Sequence, residues 1–470
     1  MIGRRNEIDE LNKAYESAES EFVAVYGRRR VGKTYLIREV FEDRFVFAHS
    51  GVADSGMRRQ LDRFGKSLQE YGYEGHRRLP DWDAAFDALK EVILASREVR
   101  KVVFLDELPW MDTPRSGFLS ALESFWNGWA SSRKDVLLIV CGSAASWMVK
   151  NLFRNKGGLH NRVTSRISLM PFTLSDCAAF AEERGLGMSR NDIAEAYMAL
   201  GGIPYYWKYL DRRYSLSQNF DRIFFAPGAP LRGEYGELYS SLFGKAAIYQ
   251  RIVEVLAHRK IGMTLAELSE ALKLKASGSV SGALETLESS GFIRHYRVLG
   301  KSKKGTVYQL TDEFTLFHHE FLADGKTDDP DFWLTTSAST AHAAWRGLAF
   351  ERLCLQHLQK LRSALGVAGV HVEAYAWRHQ PDEVCPEGAQ IDLLLDRADG
   401  TINLCEIKYS SEEYRLNERR WKEIATRVGV FKEVTGTRKS VHVTLITANG
   451  LARNAFSNRV QSVITLGDLF

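Results

Sequence analysis

A glycine-rich stretch near the start of the chain combines the residue types that bind phosphate. Residues 22–34 read FVAVYGRRRVGKT, an apolar run followed by G-x-x-x-x-G-K-[ST] and then by a helical pattern. Gly27 and Gly32 let the backbone turn its N–H groups toward phosphate oxygens, and the helix that begins at Lys33 adds the positive end of its dipole. Lys33 can reach the β- and γ-phosphates, and the Thr34 hydroxyl can ligate Mg²⁺. The pattern predicts a nucleoside triphosphate site, with a glycine-rich turn between a core strand and a core helix as the alternative. The candidate nucleotide-binding positions are Gly27, Arg28, Arg29, Arg30, Val31, Gly32, Lys33, Thr34 and Tyr35.

Two carboxylates follow a later apolar run at residues 102–105, which is short enough to be a buried parallel strand. In a nucleoside triphosphatase, Asp106 would hold Mg²⁺ opposite Thr34. Glu107 would orient or deprotonate the attacking water. The alternative is that the two carboxylates cap the next helix.

Polar residues also follow the next buried strand pattern, residues 135–143. Ser143 is placed at its tip, where a hydroxyl could sense the γ-phosphate or the attacking water. Arg162 and Arg166 lie in a predicted loop before the strand-like run ISLMPF. Either arginine could act as a finger on the transferred phosphoryl group, in cis or across a subunit interface, and a solvated surface arginine is the alternative for each.

A second group of chemistry-bearing residues lies near the C-terminus. Two strand patterns, QIDLLL and INLCEIK, are joined by a turn at residues 398–400, which predicts a hairpin. Asp392 and Glu406 can converge on one Mg²⁺ that polarises a phosphodiester, and Lys408 can position the attacking water. Glu351, on the predicted helix AWRGLAFERLCLQHL, can ligate or orient the metal shell. An ion-paired edge hairpin is the alternative.

The middle of the chain changes pattern near Lys245. Three short amphipathic helices without intervening strands are predicted, followed by a hairpin with the basic tip KSKKG. This order is typical of a winged helix-turn-helix. Residues 245–310 hold eleven Lys and Arg and five Asp and Glu. Such clustered positive charge suits a phosphate backbone, although the third helix carries few base-reading side chains. A packing module between two other domains is the alternative.

Five sequence runs together resemble the archaeal-type ATPase family of the signal-transduction, AAA-like group: GRRRVGKT, VVFLDELPWM, LLIVCGSAASWM, LHNRVTSRISLMPFTLSD and GGIPYYWKYL. The resemblance covers about residues 1–240 and implies a parallel sheet followed by a helical lid. It implies that Lys33 and Thr34 bind ATP and Mg²⁺, that Asp106 and Glu107 form the second carboxylate motif, and that Ser143 is the sensor.

The same resemblance implies roles for three further positions. Arg4, in the opening Gly-Arg pair, would lie near the adenine, and Pro204 would close over the base from the lid. The family usually has a Gly-Arg pair where this chain has Asn161 and Arg162. The resemblance therefore supports the arginine-finger role of Arg162 less than it supports the other roles.

The C-terminal constellation resembles the PD-(D/E)xK restriction-endonuclease-like fold, in which a helix, three strands and a helix follow one another. Gly347, Phe350 and Glu351 match its helix, and Asp392, Glu406 and Lys408 fill its catalytic positions, while Gln390-Ile replaces the proline of the motif name. A fold of this kind that is retained only for binding is a further alternative.

These patterns predict an α/β chain of four parts. They are a P-loop ATPase core at 1–172, a helical lid at 173–243, a winged helix-turn-helix at 244–322 and a nuclease-like domain at 332–470, after a polar linker at 324–331. Five cysteines without metal spacing, no secretory leader and no membrane-length apolar stretch predict a cytoplasmic protein with reduced thiols.

The predicted function is ATP hydrolysis coupled to a Mg²⁺-dependent nuclease-like module that acts on nucleic acid, with DNA favoured over RNA, in a homo-oligomer. One alternative is a nucleotide-switched DNA-binding regulator or scaffold with an inactive nuclease fold. Another is a protein-sensing signalling ATPase without a nucleic-acid ligand.

Overall fold

The structure is a computed structural model that describes all residues except 155–156, 160, 243–245, 275–277, 298, 300–305, 326–328 and 382–385. It divides into two compact units. The first comprises Met1–Pro171 and Leu238–Ala246, and the second comprises Phe172–Glu237 and Ala247–Phe470. Within the described ranges, none of the helices combines the length and hydropathy that crossing a bilayer requires.

A parallel five-stranded sheet forms the centre of the first unit, in the order β2-β3-β4-β1-β5. Its strands are β1 (Glu21–Tyr26), β2 (Phe45–Ser50), β3 (Lys101–Asp106), β4 (Val136–Gly142) and β5 (Ser165–Ser168). The helices of this part of the chain are α1 (Arg5–Glu16), α2 (Lys33–Phe41), α3 (Met57–Glu70), α4 (Trp82–Ala95), α5 (Leu108–Met111), α6 (Phe118–Gly128) and α7 (Ala145–Met148). Every residue of β3 and β4 is buried, as continuous apolar runs in a parallel sheet require.

The predicted strands around β1, β3 and β4 are confirmed, and the one predicted at ISLMPF is misplaced. β5 occupies Ser165–Ser168, where Arg166 pairs with Ala24 of β1. Arg166 therefore lies in a strand and not in a loop. The apolar pattern placed the start of this strand too late, because the residues of β5 alternate between buried and exposed, as expected at the edge of a sheet.

The second unit begins with the helices that the sequence assigns to a lid. They are α8 (Leu174–Glu183), α9 (Arg190–Leu200), α10 (Pro204–Trp207), α11 (Leu216–Phe220) and α12 (Glu234–Leu242), the last of which runs into the first unit. Gly202 allows a close crossing after α9, because a Cβ there would lie 1.9 Å from the carbonyl oxygen of Phe172.

The middle segment contains α13 (Ala246–Ala257), β6 (Met263–Thr264), α14 (Leu265–Ala271), α15 (Gly278–Ser289), β7 (Ile293–Arg297) and β8 (Thr306–Leu310). The three strands form an antiparallel sheet in the order β6-β8-β7. The prediction of helices without intervening strands is wrong, because β6 pairs with β8 and separates α13 from α14. The predicted capping box between Thr264 and Glu267 is confirmed. The basic tip at 301–305 lies outside the described residues.

Among the described residues, the α-helices of the C-terminal part are α16 (Glu313–Phe317), α17 (Phe332–Thr336), α18 (Thr340–Gln356), α19 (Leu358–Ala364) and α20 (Glu418–Thr435). Its strands are β9 (Val372–His379), β10 (Ala389–Arg397), β11 (Thr401–Lys408), β12 (Ser440–Thr447) and β13 (Ser462–Thr465). They form a mixed sheet in the order β13-β12-β11-β10-β9, in which β9, β10 and β11 are antiparallel neighbours. The predicted hairpin is therefore β10 and β11.

An aromatic cluster joins the lid to the C-terminal part within the second unit. Trp333 at the start of α17 is fully buried, and its ring centroid lies 5.0 Å from that of Phe220 and 5.2 Å from that of Phe317. Asp221 accepts hydrogen bonds from the backbone N–H groups of Trp333, at 2.7 Å, and Leu334, at 3.0 Å. The start of α17 is thus fixed to the lid by packing and by hydrogen bonds.

Candidate functional site

The turn between β1 and α2 has the conformation that its glycines predict. Gly32 lies at φ 96° and Gly27 at φ 150°, and Arg30 between them is also left-handed at φ 69°. A Cβ on Gly27 would lie 2.3 Å from the carbonyl oxygen of Leu169. Glycine is therefore required at position 27 both by conformation and by the close approach of another chain segment.

Lys33 lies at the start of α2 with only 5% of its surface exposed. Its ammonium group donates hydrogen bonds to the carbonyl oxygens of Gly27, at 3.1 Å, and Arg28, at 3.0 Å. Burial lowers its pKa, while Cys141, Glu107 and Asp106 oppose that shift. Carbonyl oxygens are neutral partners, so a phosphate anion would stabilise this cation more strongly.

Thr34 and Asp106 meet across the carboxyl ends of β1 and β3. The Thr34 hydroxyl donates to the Asp106 carboxylate, at 3.0 Å from Oδ2. Asp106 Oδ1 also accepts from the thiol of Cys141, whose pKa is raised by burial and then by Asp106. A hydroxyl and a carboxylate side by side at this edge are the oxygen donors that Mg²⁺ prefers.

Glu107 is held by Ser143, which directly follows the neighbouring strand β4. The Glu107 carboxylate accepts one hydrogen bond from the backbone N–H of Ser143, at 3.1 Å, and another from its hydroxyl, at 2.8 Å. Glu107 itself lies at φ 48°, which is uncommon for a residue with a Cβ. The strain and the two hydrogen bonds indicate that the position of this carboxylate is closely defined.

The remaining predicted positions of the first unit lie at different depths. Arg4 is buried and donates to the carbonyl oxygen of Val31, at 3.2 Å. This hydrogen bond connects the opening Gly-Arg pair to the phosphate loop. Arg28 is buried, Arg29 and Arg30 are half-buried, and Tyr35 is exposed.

The two candidate arginine fingers are both exposed. Arg162 lies in a turn, with its backbone N–H bonded to the carbonyl oxygen of Leu159 at 3.1 Å, and Arg166 lies over the ring of Phe153, at 4.6 Å from its centroid. Neither arrangement tests the finger role. Pro204 is the first residue of α10 in the second unit, and its closure over a base stays a prediction.

The residues of the first unit fit a nucleotide carrying Mg²⁺. The left-handed turn, the buried Lys33 ammonium bound only to loop carbonyls, and the oxygen pair of Thr34 and Asp106 supply the three features that a triphosphate requires. Mg²⁺ itself stays a prediction.

In the second unit, the structure places the predicted C-terminal residues in two ion-paired groups. Glu351 on α18 accepts from the ammonium group of Lys260 at 3.0 Å, and Asp392 on β10 lies 3.4 Å from the same ammonium group. Glu406 on β11 pairs with Lys408, at 2.9 Å, and with Arg427 of α20.

In the first of these two groups, burial and neighbouring charges both shift the pKa values of the side chains. Burial and then the negative charge of Asp392 raise the pKa of Glu351 to about 7. Burial lowers the pKa of Lys260, but Asp392 and Glu351 raise it above its usual value. No sequence signal marks Lys260 for this contact, because it lies 91 residues before Glu351 and belongs to no motif.

A β-bulge lies at Asp392. Along β10, Ile391 pairs with Trp377 and Leu394 pairs with Tyr375, so the three-residue step on β10 faces a two-residue step on β9. Bulges re-aim a side chain next to the irregularity and are common beside active sites. Asp392 also accepts a hydrogen bond from the side-chain amide of Gln390, at 2.7 Å.

The carboxylates of Glu351, Asp392 and Glu406 are all paired with cationic side chains. Across the described part of the chain, no three His, Cys, Asp or Glu side chains are grouped so that they could hold a metal ion. The metal role of Asp392 and Glu406 therefore stays a prediction.

Comparisons with known proteins agree with the site of the first unit. Residues 1–210 match the family model described as an ATPase domain predominantly from Archaea. An uncharacterized protein of Methanocaldococcus jannaschii is 24% identical over 399 residues, which cover 82% of this chain and 83% of that protein. The solved structure of the Walker-type ATPase of Pyrococcus abyssi has 17% identity and a TM-score of 0.50, and the match covers 68% of this chain and 96% of that one.

The parallel sheet, the phosphate loop and the family match define an ATP-hydrolysing enzyme of the P-loop class. Its first 210 residues are similar to the ATPase domain found predominantly in Archaea.

Proposed function

We propose that the nucleotide state of the ATPase domain controls a C-terminal module that acts on nucleic acid, with Mg²⁺ as its cofactor and DNA as the favoured substrate. The observation that carries the proposal is the contact of Lys260 with Glu351 and Asp392. It links the basic middle segment directly to two of the carboxylates that the sequence assigns to phosphodiester cleavage.

We assign residues 1–172 to the ATPase core, 173–243 to the lid, 244–322 to a winged helix-turn-helix and 332–470 to a nuclease-like domain. The order of α13, β6, α14, α15, β7 and β8 supports a winged helix-turn-helix, and the order of α18, β9, β10, β11 and α20 supports a PD-(D/E)xK fold. We further propose that the protein is a cytoplasmic homo-oligomer. In it, Pro204 and Arg4 would lie near the base of the nucleotide, and Arg162 would lie near the γ-phosphate.

A second candidate function is a nucleotide-switched DNA-binding regulator whose nuclease fold is inactive. The pairing of Glu406 with both Lys408 and Arg427 favours it, because a carboxylate engaged by two cations is less available to a metal ion. A protein-sensing ATPase without a nucleic-acid ligand is the third candidate.

Cleavage assays separate these functions. Wild type, Asp392→Ala and Lys408→Ala proteins would be incubated with single-stranded, double-stranded and branched DNA and RNA, across several divalent metals, with and without ATP. Asp399→Ala, in the turn of the same hairpin, and Lys422→Ala, on the surface of α20, are matched controls.

We expect metal-dependent cleavage that falls by about 100-fold or more in both site variants and stays unchanged in the controls. Site variants as active as wild type would contradict the catalytic assignment. Salt-dependent DNA retention without cleavage under any metal would favour the regulator. No retention of DNA or RNA at low salt would favour the protein-sensing ATPase.

A further inference from the structure

A small cavity in the second unit lies between the middle segment and the C-terminal sheet. Its volume is about 40 Å³, and its charged lining residues are Lys260, Arg294, Glu351, Arg352, Arg378 and Asp392. Four of these side chains are cationic and two are anionic. A cavity of this size holds about three water molecules. It is far below the roughly 300–1,000 Å³ of a site for a whole small molecule.

Arg352 is the unusual member of this lining. It lies on α18 with 8% of its surface exposed. Among the described residues it makes no hydrogen bond or ion pair, and its Nε is a buried donor without a partner. Its negatively charged neighbours, Glu351 and Glu313, act on it only through space. A buried guanidinium group without a hydrogen-bond partner is costly, and an anion in the cavity would remove that cost.

Arg294 is fixed in place beside it. Its Nε and Nη2 donate to the side-chain oxygen of Gln309 at 2.9 and 2.7 Å, and the amide of Gln309 donates to the carbonyl oxygen of Lys260 at 2.6 Å. Burial, with a smaller contribution from the nearby charge of Arg352, lowers the pKa of Arg294 to about 10. Two neighbouring guanidinium groups that repel each other are the arrangement that a bound anion stabilises.

The two carboxylates in the lining do not neutralise these arginines. The ammonium group of Lys260 lies 3.0 Å from Glu351 and 3.4 Å from Asp392, so each carboxylate already has a cationic partner. The cavity therefore keeps positive charge on its Arg294 and Arg352 side, directly beside the carboxylates that the sequence assigns to phosphodiester cleavage.

We propose that this cavity binds a single phosphate group, held by the guanidinium groups of Arg352 and Arg294. The phosphate is that of a phosphorylated nucleic-acid end or free inorganic phosphate, because the cavity has no room for a nucleoside. The nucleic-acid source rests on the proposed function. The phosphate site itself does not.

The site can be tested on the full-length protein with its phosphate loop filled by a non-hydrolysable ATP analogue. Inorganic phosphate would be titrated by calorimetry at constant ionic strength into wild type, Arg352→Gln, Arg294→Gln and Arg297→Gln proteins. Arg297 is the matched control, since it is an exposed arginine on the same strand, β7, and does not line the cavity.

We expect wild type and Arg297→Gln to bind phosphate equally, and each of the other two variants to bind about tenfold more weakly or worse. Arg294→Gln keeps the test decisive if Arg352→Gln fails to fold. The absence of phosphate binding by wild type, or equal binding by a folded cavity variant, would overturn the proposal.

The source of the phosphate is tested by comparing oligonucleotides with 5′-phosphate and 5′-hydroxyl ends. A preference for the phosphorylated end that is lost in Arg294→Gln supports the nucleic-acid source. Binding of inorganic phosphate without that preference keeps the site and overturns the nucleic-acid source. A wild-type protein that cleaves no nucleic acid in the earlier assay but still binds phosphate would contradict the proposed function alone.

Discussion

The Glu107 carboxylate accepts hydrogen bonds from both the backbone N–H and the hydroxyl of Ser143, at 3.1 and 2.8 Å. Since Glu107 follows β3 and Ser143 follows β4, the hydrogen bonds fix the predicted water-orienting group to the predicted sensor across adjacent strands. Any movement of the tip of β4 therefore moves the carboxylate.

The first prediction concerns this pair. Glu107→Gln is expected to retain ATP binding and to lower the ATP turnover rate by about 100-fold or more, because the amide cannot accept a proton. Ser143→Ala is expected to lower turnover by about tenfold, since the backbone donor remains to hold Glu107. Steady-state phosphate release and nucleotide affinity measure the two effects. A Glu107→Gln protein that turns over ATP like wild type would remove Glu107 from the mechanism.

The second prediction concerns Lys33. Lys33→Ala removes the cation that would face the β- and γ-phosphates and is expected to lower ATP turnover by about 100-fold or more. Lys66→Ala, on the surface of α3, is the control, because Lys66 is an exposed residue that pairs with the exposed Glu70 at 3.6 Å. Circular dichroism would verify that both variants fold. Unchanged turnover in a folded Lys33→Ala protein would contradict the assignment of the phosphate loop.

The third prediction is a pH dependence of stability in the first unit. Burial, and then Arg63, lower the pKa of His49 to about 4 from 6.5. Below pH 6.5, His49 binds a proton in the unfolded state, whereas in the folded state it stays neutral until the pH falls to about 4. The free energy of unfolding therefore falls between pH 6.5 and 4, by up to about 3 kcal/mol.

His49→Gln is expected to reduce that fall. Denaturant unfolding of both proteins at pH 7 and pH 5 gives the difference. His342, whose pKa is also lowered to about 4, is present in both proteins and cancels. Identical pH dependence in wild type and variant would show that His49 is not the cause.

The fourth prediction concerns the crossing at Gly202. A Cβ there would lie 1.9 Å from the carbonyl oxygen of Phe172, so Gly202→Ala is expected to destabilise the second unit by about 2 kcal/mol or more. Gly236→Ala is the matched control, because position 236 is exposed on α12 with nothing near its Cβ. That control is expected to stabilise the protein by about 0.5–1 kcal/mol. Thermal unfolding measures both changes, and a neutral Gly202→Ala would contradict the crossing.

Much of the first unit could be predicted from sequence because its signals are local. The apolar runs of β1, β3 and β4 are continuous, and each ends in the polar residues that form the site. The register of parallel strands then brings Thr34 to Asp106 and Glu107 to Ser143 without further information. The left-handed conformation of Glu107 has no local signal, since glutamate rarely adopts it.

The second unit was harder to predict because its important contacts are distant in sequence. Lys260 meets Asp392 across 132 residues, and the cavity between Arg294 and Arg352 depends on the packing of β7 beside α18. Strand β6 is only two residues long, so periodicity could not show it. The four described cysteines are free and buried, as their spacing indicated, and Cys385 lies outside the described residues.

The packing of Trp333 against Phe220 and Phe317 has a consequence for dissecting the chain. A piece that begins near residue 332 would carry this tryptophan without the rings that cover it, and a piece that ends before it would expose those rings to water. Either fragment would present apolar surface that promotes aggregation. The part of the chain from residue 332 onward is therefore best studied within the intact protein.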